Sequence, residues 1–143
     1  SVRGESGITW MYAALNSLNR GRNKAASKLF EKSIEVIEWR KKSGLTIDKA
    51  KARMTVMAFV NYCLESGKLE SFFKLYSNFA DNNIIEIDLG DKYLEALLLS
   101  GQRDMLINAY RKFEAQGKMT SRNAKNLIRK AIDSGFITAS DIA

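Results

Sequence analysis

Residues 59–76 read FVNYCLESGKLESFFKLY and residues 93–113 read YLEALLLSGQRDMLINAYRKF. In each string an apolar stretch at helical spacing runs into Ser-Gly, and a second such stretch follows within a residue or two. Glycine takes the left-handed conformation that closes a helix without steric cost, so each string reads as two helices joined by a tight turn. The same dipeptide recurs at Ser134-Gly135, which spaces Gly67, Gly101 and Gly135 by 34 residues twice in succession. That period is the length of a helix-turn-helix unit. Gly21 follows an apolar stretch in the same way but lies 46 residues before Gly67, so the first unit carries extra helical turns.

Working outward from these turns, the 3.6-residue period places helices near 8–19, 22–42, 47–65, 68–81, 89–99, 102–116 and 121–133, with an eighth starting at 139. Thr46, Asp88, Thr120 or Ser121, and Thr138 are the expected N-caps, and Thr138 with Asp141 has the spacing of a capping box. No segment alternates as a strand does; Ile84, Ile85 and Ile87 read as a linker packed inward. The chain has no proline, and its connections of about two to six residues require neighbouring helices to run antiparallel. The expected fold is all-α: a stack of antiparallel helical hairpins, seven to eight helices, in one domain over 1–143. The chain begins with Ser1 and a loop-like stretch to Gly7, which reads as a piece cut from a longer protein.

The strings at 59–76 and 93–113, together with YAALNSLNRGRNKAASKLF at 12–30, resemble pentatricopeptide repeats and share their degenerate pattern with tetratricopeptide repeats. The resemblance covers about residues 8–143. It implies a right-handed superhelical stack, an α-solenoid, and a role in organellar RNA metabolism, hence the mitochondrial matrix. The family's alanine five residues after the turn glycine is matched by Ala26, but Phe72 and Leu106 stand there in the next units. Ten residues before the glycine, where RNA-reading members carry a small polar residue, this chain has Met11, Met57, Asp91 and Lys125. These residues do not make a one-repeat-one-base code.

With no histidine and Cys63 as the sole cysteine, the sequence excludes Ser-His-Asp and Cys-His catalysis, disulfides, thiolate zinc cages and iron–sulfur clusters. No apolar run approaches the roughly 20 residues of a membrane span. A lone cysteine suits a reducing compartment: cytosol, nucleus or mitochondrial matrix. The net charge of +7 is unevenly spread: residues 1–53 hold twelve basic and five acidic side chains, 54–100 hold three and seven, and 101–143 hold eight and four. A polyanion would therefore engage the ends of the stack and avoid its middle.

The sharpest basic feature is the helix at 121–133. Arg122, Lys125 and Arg129, with Asn126, share one face, and Ala124, Leu127, Ile128, Ala131 and Ile132 form the opposite one. A basic face of this kind neutralises phosphates, although a solvated helix face has the same pattern. Arg40, Lys41 and Lys42, beside Trp39, close a long helix and suit its dipole, and Glu31, Glu35 and Glu38 interleave with lysines there. Phe72, Tyr76 and Phe79, or Tyr110 and Phe113, are spaced as buried stripes; Phe73 and Trp39 are the candidates for base stacking. Glu86, Asp88 and Asp91 are the only acidic cluster that could hold a magnesium ion, but N-capping and the favourable dipole at a helix N-terminus explain them without chemistry, and no basic or nucleophilic residue is paired with them in sequence.

These readings converge on a non-enzymatic module without cofactor, metal, membrane or small-molecule substrate, binding single-stranded RNA through backbone phosphates with Arg111, Lys118, Arg122, Lys125 and Arg129. The alternative is a tetratricopeptide-like protein-protein interaction scaffold, which predicts an apolar or acidic groove.

Overall fold

A computed structural model describes residues 7–143, apart from the side chains of residues 81 and 82. Of the loop expected at the start of the chain, all but Gly7 lies outside the described residues. The described chain is all-helical: α1 Ile8–Asn19, α2 Asn23–Lys42, α3 Lys49–Ser66, α4 Leu69–Asn82, α5 Gly90–Leu99, α6 Arg103–Ala115, α7 Arg122–Asp133 and a 3₁₀ turn Ala139–Ile142. It divides into two compact units, one reaching to Ile87 and the other Asp88–Ala143.

All seven helices stop the same way. Gly21, Gly44, Gly67, Gly101, Gly117 and Gly135 have φ between 70° and 78°, and Asn83, with φ 47°, takes that place after α4. At the three Ser-Gly turns and at Gly21 the amide after the glycine closes a bond to the carbonyl five residues back: Arg22 to Ser17 at 2.9 Å, Lys68 to Cys63 at 2.9 Å, Gln102 to Leu97 and Phe136 to Ala131 at 3.0 Å. Carbonyls that the helix end leaves without partners are thus satisfied locally, which a chain lacking proline uses to write its stops.

Starts are less uniform. The α3 cap is Asp48, whose carboxylate accepts the Lys51 amide at 3.1 Å, and not the expected Thr46, whose carbonyl instead accepts Arg40 Nε at 2.8 Å. Ser121, the second of the two alternatives, caps α7. Thr138 and Asp141 form the expected capping box. Asp88 accepts the Gly90 amide at 2.9 Å at the start of α5.

In the first unit α1 packs on α2 and α3, and α3 also packs on α2 and α4. Its core holds Met11, Phe30, Ile37, Val56, Val60 and Phe72, all at 2% exposure or less. Phe30 stacks on Tyr62 at 4.7 Å and meets Phe59 at 6.0 Å. Gly7 sits where a Cβ would be driven into the Ser33 carbonyl oxygen, so the start of α1 lies directly against α2. Ile84 and Ile85 are buried, as a linker packed inward requires. In the second unit α5 packs on α6 and α7, and α6 on the 3₁₀ turn, around Leu94, Leu97, Leu106 and Ile137. Every buried side-chain polar atom among the described residues has a hydrogen-bond partner. No described helix is long and apolar enough to cross a membrane.

Candidate nucleic-acid interface

The α7 helix is positioned from its first residue. Ser121 Oγ accepts the Ala124 amide at 3.0 Å and donates to Asp91 Oδ2 on α5 at 2.9 Å, tying the start of α7 to its neighbour. Ala124, Ile128 and Ala131 are buried beneath, with Leu127 and Ile132 half-buried. The helix register then puts Arg122, Lys125, Asn126 and Arg129 outward, all exposed, where with Thr120 they line a shallow depression. Lys125 and Arg129 also line a second groove of about 490 Å³, whose other wall is Tyr110 and Glu114 on α6, whose floor includes Met119 and Ile128, and whose end holds Asp133.

Among the described residues, the ion pairs are those of Arg103 with Asp104 at 3.1 Å and with Asp141 at 2.8 Å. None involves α7. Arg122, Lys125 and Arg129 repel one another at three- and four-residue spacings, an arrangement that costs a helix a few tenths of a kcal/mol per pair and that Asp133, four residues after Arg129, relieves only at its far end. Arg122 lies in the first turn and Asp133 at the last position, both opposed to the helix dipole. Arg122→Glu should consequently raise thermal stability by about 0.3–1 kcal/mol, through the dipole and an added contact to Lys125, while weakening anion binding. Paired thermal melts and binding assays on this variant check it; a fall in stability would mean that Arg122 is held by contacts the like-charge picture omits.

The other two expected site residues stand apart. Arg111 Nη2 donates to the Asp141 carbonyl at 2.6 Å, so it fastens the 3₁₀ turn to α6. In the same cluster the Asp141 carboxyl is held below its ordinary value, first by the Thr138 amide, against an opposing push from burial, with help from the Thr138 hydroxyl and Arg103. Lys118 is exposed, but its structural contribution is the backbone amide that closes α6 onto Phe113 at 2.8 Å. The structure thus brings together Arg122, Lys125 and Arg129. It adds Glu114 and Asp133, which the sequence does not mark, and Tyr110, expected in a buried stripe and found half-buried. Tyr110 and Glu114 are four residues apart on α6, a spacing that marks a shared face but not which neighbour it meets.

The remaining candidates resolve as follows. Of the four positions matching the base-reading residues, Met11 is buried, Met57 half-buried, Asp91 bonded to Ser121, and only Lys125 exposed. Trp39 is 59% exposed, as expected of a possible stacking platform, whereas Phe73 is half-buried edge-on against Phe72 at 5.6 Å. Tyr12 is 57% exposed. Arg40 is committed to the loop after α2, and Lys32 Nζ lies 5.0 Å from the Trp10 ring centre. The interleaved glutamates of α2 form no ion pair among the described residues. Glu31, Glu35 and Glu38 instead line a groove of about 260 Å³ over Ile34, Phe59 and Leu75, with Lys74 opposite. Burial raises the Glu38 carboxyl there, Lys74 lowering it and Glu35 adding to the rise. No three acidic, histidine or cysteine side chains converge as metal ligands among the described residues. Comparison with known protein families, with characterised proteins and with solved structures finds no match to this chain.

Proposed function

We propose that the chain is a non-enzymatic, pentatricopeptide-like helical-repeat module that binds single-stranded RNA through its backbone phosphates, with Arg122, Lys125 and Arg129 as the principal contacts. The observation that carries this reading is the outward row of Arg122, Lys125 and Arg129 on α7, all exposed and without an ion pair among the described residues. The hairpins are proposed to stack in a right-handed superhelix. Support comes from the turns at Gly67, Gly101 and Gly135, spaced by 34 residues with the same backbone conformation, and from the packing of α1 on α3 and of α5 on α7, each the first helix of its hairpin on the first helix of the next. Arg111 and Lys118 are secondary: one is engaged with Asp141, the other lies outside the grooves.

A fluorescent single-stranded RNA of mixed sequence, titrated across a salt series, tests the reading. Three phosphate contacts on a single strand give a slope of about −2 in log K against log salt, which is about a 20-fold loss of affinity between 50 and 200 mM. The Arg122, Lys125, Arg129 triple-alanine variant should bind weakly with most of that slope gone, while its melting temperature holds or rises slightly, because all three sites are exposed and their mutual repulsion is removed. Absence of binding at low salt overturns the reading.

The acidic groove between α2 and α4 favours the second reading, a tetratricopeptide-like protein scaffold, because three carboxylates over an apolar floor suit a basic peptide segment. It ranks below the RNA reading because Lys74 stands in the same groove and offsets part of its charge. Capture of a basic peptide by a chain that ignores RNA would reverse that order.

A further inference from the structure

We propose that the groove between α6 and α7 holds one unpaired guanine base of the bound RNA, stacked on Tyr110 and recognised by the Glu114 carboxylate. This proposal rests on the RNA reading and adds to it a base preference at a single point, distinct from any repeat-by-repeat code.

The groove carries both signs of charge in a fixed order. Lys125 and Arg129 stand on the α7 side, with Asp133 four residues beyond Arg129 at the groove's end, and Glu114 stands on the α6 side, with Ile128 in the floor. Among the described residues these charged groups make no hydrogen bond or ion pair to one another, and the Tyr110 ring has no aromatic partner. An anion alone would meet a carboxylate it repels, and a cation alone would meet two like charges. A nucleotide engages both signs at once: the phosphate takes the cations, the planar base lies on the tyrosine face, and donors on the base edge face the Glu114 carboxylate, with Asp133 left at the open end. The space, about 490 Å³, admits one such unit.

Chemistry then selects the base. An ionised carboxylate only accepts hydrogen bonds, through two oxygens side by side. On its Watson–Crick edge guanine presents N1–H and the N2 amino group, two adjacent donors that match those oxygens. Uracil presents a single N–H between two carbonyls that the carboxylate repels. Adenine and cytosine each offer one amino group next to a ring nitrogen that is itself an acceptor. Glu114 lies one helical turn beyond Tyr110, on the same face, so a base stacked on the ring can extend toward it. Duplex RNA has this edge occupied by its partner strand, so the groove requires an unpaired residue.

The test measures fluorescence anisotropy of three labelled nonamers with the full chain at one salt concentration: all-uridine, uridine with one central guanosine, and uridine with inosine at that position. Guanosine should bind about tenfold tighter than uridine, the size of discrimination expected of one two-point contact. Inosine, which lacks the N2 amino group, should fall between them. Glu114→Ala should close the gap between the guanosine and all-uridine oligomers, and the exposed position of Glu114 keeps the fold out of the result. Tyr110→Phe should keep the preference and Tyr110→Leu should lose it. Equal affinity for guanosine and uridine, or a preference that survives Glu114→Ala, overturns the guanine site while leaving salt-dependent RNA binding intact. Free guanosine monophosphate bound as tightly as the oligomer also overturns it, since the site would then belong to a mononucleotide. Loss of all oligomer binding at low salt removes the RNA reading itself.

Discussion

Phe72→Ala is expected to lower the stability of the first unit by about 3–5 kcal/mol, the range for emptying a buried aromatic site. Phe72 is wholly inaccessible to solvent, meets Phe73 edge-on at 5.6 Å and lies tilted against Tyr76 at 6.1 Å. It stands five residues after a turn glycine, the position held by Ala26 and Leu106 in two other hairpins, both buried to 1% exposure or less. Three residues of very different volume thus fill one structural position. The alanine of the pentatricopeptide pattern suits two helices in close approach; a phenylalanine requires a wider gap, and cutting it back to alanine leaves that gap empty. Urea denaturation followed by tryptophan fluorescence isolates the effect, because Trp10 and Trp39 both belong to the first unit. A loss under about 1 kcal/mol would show that the hairpin collapses around the smaller residue and that Phe72 carries little of the packing.

The same position shows which parts of the fold could be read in advance. Helix existence and turn placement were legible because they depend on local signals: the 3.6-residue period of apolar residues and a glycine that must adopt positive φ. Gly44, Gly117 and Asn83 close α2, α6 and α4 in the same left-handed conformation as the Ser-Gly turns. They were not singled out, because no repeating dipeptide surrounds them. The cap of α3 fell to Asp48 instead of Thr46 because both residue types accept an amide proton equally well, and the choice depends on which backbone turns first.

For the candidate site the division is similar. Arg122, Lys125 and Arg129 were found because one helix places them by its own period. The engagement of Arg111 is not legible in sequence because its partner, the Asp141 carbonyl, lies 30 residues away. The α2 glutamates interleave with lysines at helical spacings, yet Lys32 turns to the Trp10 ring, 5.0 Å from its centre, and a ring on another helix carries no signal in the local pattern. Tyr110 and Glu114 face residues contributed by α7, so that groove exists only once two helices are placed side by side.

Cys63 should react with iodoacetamide in the native protein at pH 8 about a thousandfold more slowly than an ordinary exposed thiol. It is fully buried on α3, and burial pushes its thiol up to about 12, the effect of Lys68 being too small to reverse the shift and Glu31 adding to it. The thiolate is the reactive species, and each unit of pKa removes a factor of ten from its population at a given pH below both values. The same shift makes stability depend on pH with a definite sign. The unfolded chain releases this proton near pH 9 while the folded chain keeps it until about 12, so across that window the native state binds more protons and unfolding becomes easier as pH rises. The slope is about 1.4 kcal/mol per pH unit within the window, and it should vanish in Cys63→Ala, which retains an apolar group at the site. Denaturation midpoints at pH 8, 9 and 10 for both proteins separate this contribution from the other groups that titrate there, since those are common to both. Rapid labelling of the native chain at pH 8, at the rate of a free thiol, would contradict the burial of Cys63 and with it the packing of α3 in the first unit. Slow labelling that becomes immediate in denaturant would tie the reaction to opening of that unit, making the lone cysteine a reporter of the hairpin core and of no chemistry at the surface.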